Sequence, residues 1–301
     1  MPCLSKSEVA QFYRIHFALL QYTNDRYNIS APLDFSNHLG AFSQEQLHEI
    51  VLPVRDYLFA HPKIVDEFIQ KNPPNLSPED LKLAKGWKHA VTGQFTIYKH
   101  LKAYTLVFSG EKERLYGIWG LGDPLEQVFP KQTLPLMAEM VVLPFKDRLV
   151  YDGLVRVYPI LFGGGIQRSL KTEVEETQAR YGVIIGFASG KPIYETTSNL
   201  TPDQRLIRFY LKNEANRELY WDEAWELARK NQANRIFYEQ EVGKIYARSI
   251  KKDLKEYGIK GFHYAIYRNV IVAVGKSKKE VEEFCRQYHP QLINYLHFFK
   301  V

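Results

Sequence analysis

The sequence predicts an α+β protein with a helical N-terminal part, a central antiparallel β-sheet or small barrel, and a C-terminal helical part carrying a β-hairpin. Three observations lead there. Capping boxes mark helix starts along the chain, strands rich in β-branched and aromatic residues crowd the middle, and short turn signals separate them. The expected divisions are 1–90, 91–195 and 196–301.

The capping box needs Ser or Thr at the cap and Glu or Gln three residues on, so that two backbone donors are satisfied reciprocally. It occurs at Ser5–Glu8, Ser43–Gln46, Thr172–Glu175, Thr201–Gln204 and Ser277–Glu280. Ser77-Pro78-Glu79-Asp80 is a related start. Over residues 1–90, Val9, Phe12, Ile15, His16 and Leu19 recur at helical spacing, as do Leu47, Ile50, Val54 and Leu58. Pro53 inside the second pattern predicts a kink, and Asn72-Pro73-Pro74-Asn75 predicts a break.

From about residue 93 the pattern turns to strands: Phe95–Tyr98, Ala103–Phe108, Arg114–Trp119 and Met137–Phe145. Arg148–Tyr151 and Leu154–Val157 flank Asp152-Gly153, which reads as a hairpin turn because both residues tolerate φ > 0. A helix over Ser169–Tyr181 and a hairpin around Ala188–Lys191 follow. The C-terminal part reads as helical from Thr201 to about Tyr257. A hairpin at Arg268-Asn269, a helix from Lys278 and an aromatic tail over Leu292–Phe299 complete it.

Composition bounds the function. The 301 residues carry 40 Lys+Arg against 34 Asp+Glu, a net charge of +6. A basic balance favours polyanionic partners and says nothing of fold. Aromatic residues make up 14% of the chain, which suits half-buried sheet faces. Cys3 and Cys285 cannot build a disulfide framework, so a reducing compartment is expected. No basic-then-apolar leader opens the chain, and Glu139, Pro135 and Pro144 interrupt its most apolar run. The expectation is a soluble, cytoplasmic protein with no membrane contact.

Familiar chemical motifs fail on spacing. Gly120-Leu121-Gly122 lacks the third glycine and the long helix of a dinucleotide site. Gly186 to Lys191 is one residue short of a phosphate loop, and Pro192 stands where its hydroxyl belongs. No two histidines lie three or four apart on an expected helix, so no metal site is assigned. Asp203 and Asp253 lie on expected helices, where they cannot share a metal as nuclease carboxylates on adjacent strands do. The sequence leaves catalytic residues unassigned and an enzymatic role open, and no cofactor is expected.

Two features remain. Gly163, Gly164 and Gly165 lead into a helix, with Arg168 close behind. That geometry can cradle an anion on backbone N–H groups, and a tight connection needing φ > 0 would also account for the glycines. Lys244, Arg248, Lys251, Lys252 and Lys255 recur along one helix face beside an apolar stripe of Val242, Ile245, Tyr246, Ile250 and Leu254. Asp253 and Glu256 dilute that charge, and a solvated helix face would look the same. The leading expectation is a non-enzymatic nucleic-acid-binding or adaptor protein, with the basic face on phosphates and sheet aromatics stacking on bases. The alternatives are an enzyme or sensor holding a phosphorylated small molecule at Gly163–Gly165, and a protein-interaction module whose partners the sequence does not identify.

Overall fold

In the computed structural model, which describes residues 2–34, 42–160, 162–195 and 199–301, the first helix starts where its cap dictates. Ser5 accepts the Glu8 N–H, Glu8 accepts the Ser5 N–H, and α1 runs over Lys6–Tyr27. The chain is α+β, and it divides into two compact units, Met1–Thr197 and Ser198–Val301. The expected division near residue 196 lies outside the described residues.

In the first unit, α2 (Gln44–Gln46) opens on a reciprocal Ser43–Gln46 cap. It passes through a π-helical turn, Leu47–Val51, into α3 (Leu52–Ala60). The Leu52 N–H reaches back five residues to the Leu47 carbonyl. This turn takes up the disturbance expected at Pro53, which falls in the first turn of α3, where its missing N–H costs nothing. α4 (Lys63–Lys71) ends on Asn72 in the left-handed conformation, and α5 (Pro78–Gly86) starts on the Ser77 cap.

Five strands then close a barrel: β1 (Val91–His100), β2 (Thr105–Ser109), β3 (Arg114–Trp119), β4 (Leu136–Phe145) and β5 (Arg148–Tyr151). The pairing runs β2-β1-β4-β5-β3 and returns to β2. Only β3 and β5 meet in parallel within it, through Ile118↔Leu149 and Trp119↔Val150. The link from β3 to β4, residues 120–135, holds α6 (Leu125–Val128), a single turn, and a 3-10 turn at Lys131–Thr133. Gly120 stands at its start, where a Cβ would run into the Asp123 carbonyl. Alternation turns Phe95, Ile97, Val107, Tyr116, Ile118, Ala138 and Met140 into the barrel.

Both flanks of the barrel are coated. On the β4 side, the Phe12 ring lies 5.2 Å from Trp87 and 5.6 Å from Phe145. The Trp87 indole donates to the Pro144 carbonyl at 2.9 Å, so helices 1–90 and barrel share one continuous core. On the β2–β3 side, Leu106, Phe108 and Leu115 pack under Leu170 and Val174 of α7 (Gly164–Tyr181). α7 starts at the glycines, five residues before the expected Ser169. Thr172 is therefore no cap, and its hydroxyl donates to the Arg168 carbonyl inside the helix. β7 (Val183–Ala188) extends the sheet alongside β3, and β8 (Lys191–Tyr194) returns on it through Ser189 and Gly190, at φ 50° and 78°.

The Asp152-Gly153 hairpin is corrected. β5 and β6 (Arg156–Tyr158) do not pair with each other; both pair with β4, β5 along its second half and β6 along its first. The two-residue hairpin in this region is instead Lys146-Asp147, between β4 and β5. Asp152 breaks the strand because its carboxylate is engaged elsewhere. It accepts the Leu154 N–H at 3.2 Å and Arg55 Nη1 at 3.3 Å, and the same Nη1 donates to the Leu154 carbonyl.

In the second unit, α8 (Pro202–Tyr210) begins with the expected Thr201–Gln204 box, and α9 (Glu214–Arg229) kinks at Tyr220. α10 (Gln232–Glu256) is one helix of 25 residues. β9 (His263–Tyr267) and β10 (Val270–Gly275) form the expected hairpin, and α11 (Lys278–Tyr288) starts on the Ser277 cap. The aromatic tail becomes a third strand, β11 (His297–Lys300), paired to β9. α11 closes over Ala265 and Ala273, while α10 lies against β9 and β11, where a Cβ at Gly243 would strike His297.

Two buried polar features of the first unit generate predictions. Asp152→Ala removes the buried one of Arg55's two carboxylate partners, leaving Asp56 and the Leu154 carbonyl, and should lower stability by about 3 kcal/mol, the low end for a broken buried pair, in chemical denaturation. Replacing both partners by Met and Leu should cost clearly less than the two single changes together. His16 is fully buried among Phe12, Phe17, Phe59 and Trp87, and neither ring nitrogen has a hydrogen-bond partner. Burial, aided by the nearby Arg55 charge, pushes its pKa down to about 3. The unfolded chain therefore binds the extra proton first, and this contribution to stability is lost as pH falls from about 6.5 toward 3. Asp152, pushed up to about 6 by burial, works in the opposite sense between about 4 and 6. Denaturation midpoints of the native chain and His16→Phe, which share Asp152, should converge with acidification if the native chain starts higher, or diverge if it starts lower.

Candidate functional site

The three expected glycines sit at the N-terminal end of α7. Gly163 caps it with φ −65° and ψ 161°, and none of the three takes a positive φ. A Cβ at any of them would meet nothing within 4 Å. Neither backbone conformation nor packing requires glycine there, which removes the tight-connection account. Arg168 turns back, its Nε donating to the Gly164 carbonyl at 3.3 Å. A cleft of about 370 Å³ adjoins this end, between α7 and the outer face of β1 and β2. Its floor is apolar, with Phe108, Phe162 and Leu170, and its polar lining includes the carboxylates of Glu111 and Glu173. Those charges oppose an anion.

Aromatic stacking on the central sheet is closed off. Oligonucleotide-binding five-stranded barrels use the face of strands 2 and 3 with its flanking loops. Here that face lies under α7, and no aromatic side chain of the five barrel strands is exposed among the described residues. Trp119 is covered by Arg148, whose guanidinium sits 4.4 Å from its ring centre.

The second unit holds the exposed chemistry. Residues 198–301 contain 19 Lys+Arg and 13 Asp+Glu, and the remaining 197 contain 21 of each, so the whole +6 resides here. At about 100° per residue, Lys244, Arg248, Lys251 and Lys255 fall within an arc of about 60° on α10, with Lys252 at its edge. Lys244 is tied to Glu241 at 2.7 Å, and Glu241 also holds Arg208. Lys252 reaches Glu256 at 3.9 Å. Arg248, Lys251 and Lys255 make no ion pair among the described residues. Of the expected apolar stripe, Val242 is buried, Ile245, Ile250 and Leu254 are half-buried and Tyr246 is exposed. The last two turns of α10 bury no residue fully, and Tyr257 beyond them is 83% exposed.

On the other flank of α10, about 150° round from that arc, lies a recess that sequence reasoning missed. Trp221, Asp222 and Trp225 of α9, Tyr238, Val242 and Tyr246 of α10, and Arg268 of the β9–β10 turn line about 240 Å³. The kink at Tyr220 sets the direction of Trp221. Beneath the recess, fully buried Glu239 accepts Arg268 Nε and Nη2 at 2.9 and 2.8 Å and Arg235 at 2.9 Å. Arg235 stacks 4.0 Å over Trp225. Arg268 holds φ 54°, a left-handed conformation unusual for a long side chain, at the first position of a two-residue hairpin turn that calls for a positive φ. The hydrogen bonds it donates to Glu239 raise the guanidinium pKa further, so Arg268 is permanently charged. The Trp221/Trp225 spacing was the one sequence signal, because i and i+4 share a helix face. The other walls come from distant segments.

The described residues hold no group of three His, Cys, Asp or Glu side chains that could bind a metal, and no helix long and apolar enough to cross a membrane. Asp203 is taken up by Lys230 and Asn234. Comparison with protein-family models, curated proteins and solved structures finds no match.

Charge balance around Glu239 sets an order of mutational cost. Replacing both Arg235 and Arg268 by Ala strands a buried carboxylate and should cost about 3–5 kcal/mol. Glu239→Gln, which releases two arginines that can reach water, should cost less. Thermal melts of the three proteins check the order.

Proposed function

We propose that this protein binds nucleic acid through its phosphate backbone, with residues 198–301 as the binding element and no catalytic step. The observation that carries this reading is the set of Arg248, Lys251 and Lys255 on one flank of α10, without an ion pair among the described residues, Arg248 and Lys255 exposed and Lys251 half-buried, in the unit that holds all the net charge. A row of cations one helical turn apart suits a polyphosphate, because each phosphate neutralised releases a condensed counterion. The acidic partners of Lys244 and Lys252 reduce their share. The alternative at Gly163–Gly165 retains the unexplained glycines in its favour, but Glu111 and Glu173 in the adjoining cleft weigh against it.

Oligonucleotide binding titrated from low to moderate salt tests the reading. Each phosphate contact contributes about 0.7–0.9 to the slope of log affinity against log salt. Reversing Arg248, Lys251 and Lys255 to Glu should weaken binding and flatten that slope by about 2–3, whereas Lys244→Gln should change it little. Absence of binding at low salt, or an unchanged slope in the triple variant, overturns the proposal.

A further inference from the structure

The recess between α9, α10 and the β9–β10 turn has chemistry that backbone binding does not use. Its walls are flat and aromatic, from Trp221, Trp225, Tyr238 and Tyr246, and its charged groups are one cation, Arg268, and one carboxylate, Asp222. Arg268 gives Nε and Nη2 to Glu239 and leaves Nη1 unused. Asp222, exposed on the same wall, has no partner among the described residues. At about 240 Å³ the recess is smaller than the roughly 300–1,000 Å³ of sites for drug-sized ligands, so it takes one ring system.

We infer that this recess receives a single unpaired nucleobase, which makes the ligand single-stranded nucleic acid; the inference rests on the nucleic-acid reading above. A nucleobase offers the matching features, a planar face for stacking and an edge carrying both donors and acceptors. A base held in a duplex has its faces stacked and its edge paired, and cannot enter without being extruded. A cationic ligand is disfavoured, although four aromatic rings and a carboxylate resemble a cage for one. Arg235 and Arg268 already sit 4.0 and 5.9 Å from Trp225, two cations against one buried carboxylate. Recess and basic arc occupy different flanks of α10. A flexible single strand can turn over the exposed final turns of that helix to reach both, and a stiff duplex cannot.

The test uses the full chain, three nucleic-acid probes of equal length (a single strand, the same strand with abasic sites, and a duplex) and a trimethyllysine peptide. Tryptophan fluorescence and affinity are read together. The intact strand should quench the fluorescence and bind about 5- to 100-fold tighter than the abasic one. Trp221→Ala and Tyr246→Ala, at positions 37% and 36% exposed, should erase that difference while each variant still melts cooperatively and binds the abasic strand as the native chain does. The Arg248, Lys251 and Lys255 reversal should weaken both strands alike. Equal binding and quenching by intact, abasic and duplex probes overturns the recess assignment and leaves the phosphate reading standing. No binding by any probe at low salt overturns both. Quenching by a trimethyllysine peptide and not by the intact strand reassigns the recess to a cation and overturns the base.

Discussion

Arg55 and Asp152 stand 97 residues apart, with side chains 1% and 0% exposed, and the architecture of the first unit turns on their meeting. The guanidinium comes from α3, in the helical layer, and the carboxylate from the interruption between β5 and β6. Taking both from water costs several kcal/mol per ion, which only good geometry offsets. Here Arg55 also reaches Asp56 and the Leu154 carbonyl, and Asp152 also accepts a backbone N–H. One pair thus docks the helices and lets a single long strand, β4, serve two partners in turn.

Closing the barrel has a consequence for its surfaces. Once β3 meets β5, one flank is left for the N-terminal helices and another for α7. Many aromatic residues of the first unit are spent on the barrel interior and these two seams. Phe95 and Tyr116 lie edge to face inside it, and Phe108 lies under α7. A fold whose strands could have offered a stacking platform keeps it covered.

The second unit is built the other way. Buried Glu239 is a hub for two arginines, pairing with Arg268 of the β9–β10 turn and with Arg235, which stacks on Trp225. Around that hub the aromatic side chains remain partly open, and beyond it α10 carries Arg248, Lys251 and Lys255 without an ion pair among the described residues. Charge, exposed aromatic surface and an unusual backbone conformation coincide in this one unit of the chain.

The α+β class, the helix starts at Ser5, Ser43, Thr201 and Ser277, and the basic face of α10 were legible because each depends on residues within a turn or two of each other. A cap is a local hydrogen bond, and a helix face follows from periodicity alone. Thr172 shows the limit: the local pattern was present, but α7 had already started at glycines that carry no cap. Asp152-Gly153 failed for a stronger reason, since a carboxylate recruited by Arg55 across the fold outweighs a turn preference. The parallel closure of β3 on β5, the burial of the β2–β3 face and the recess around Trp221 and Arg268 were decided only by tertiary structure. Each joins segments far apart in the chain, and no local spacing encodes which distant side chains will share a surface.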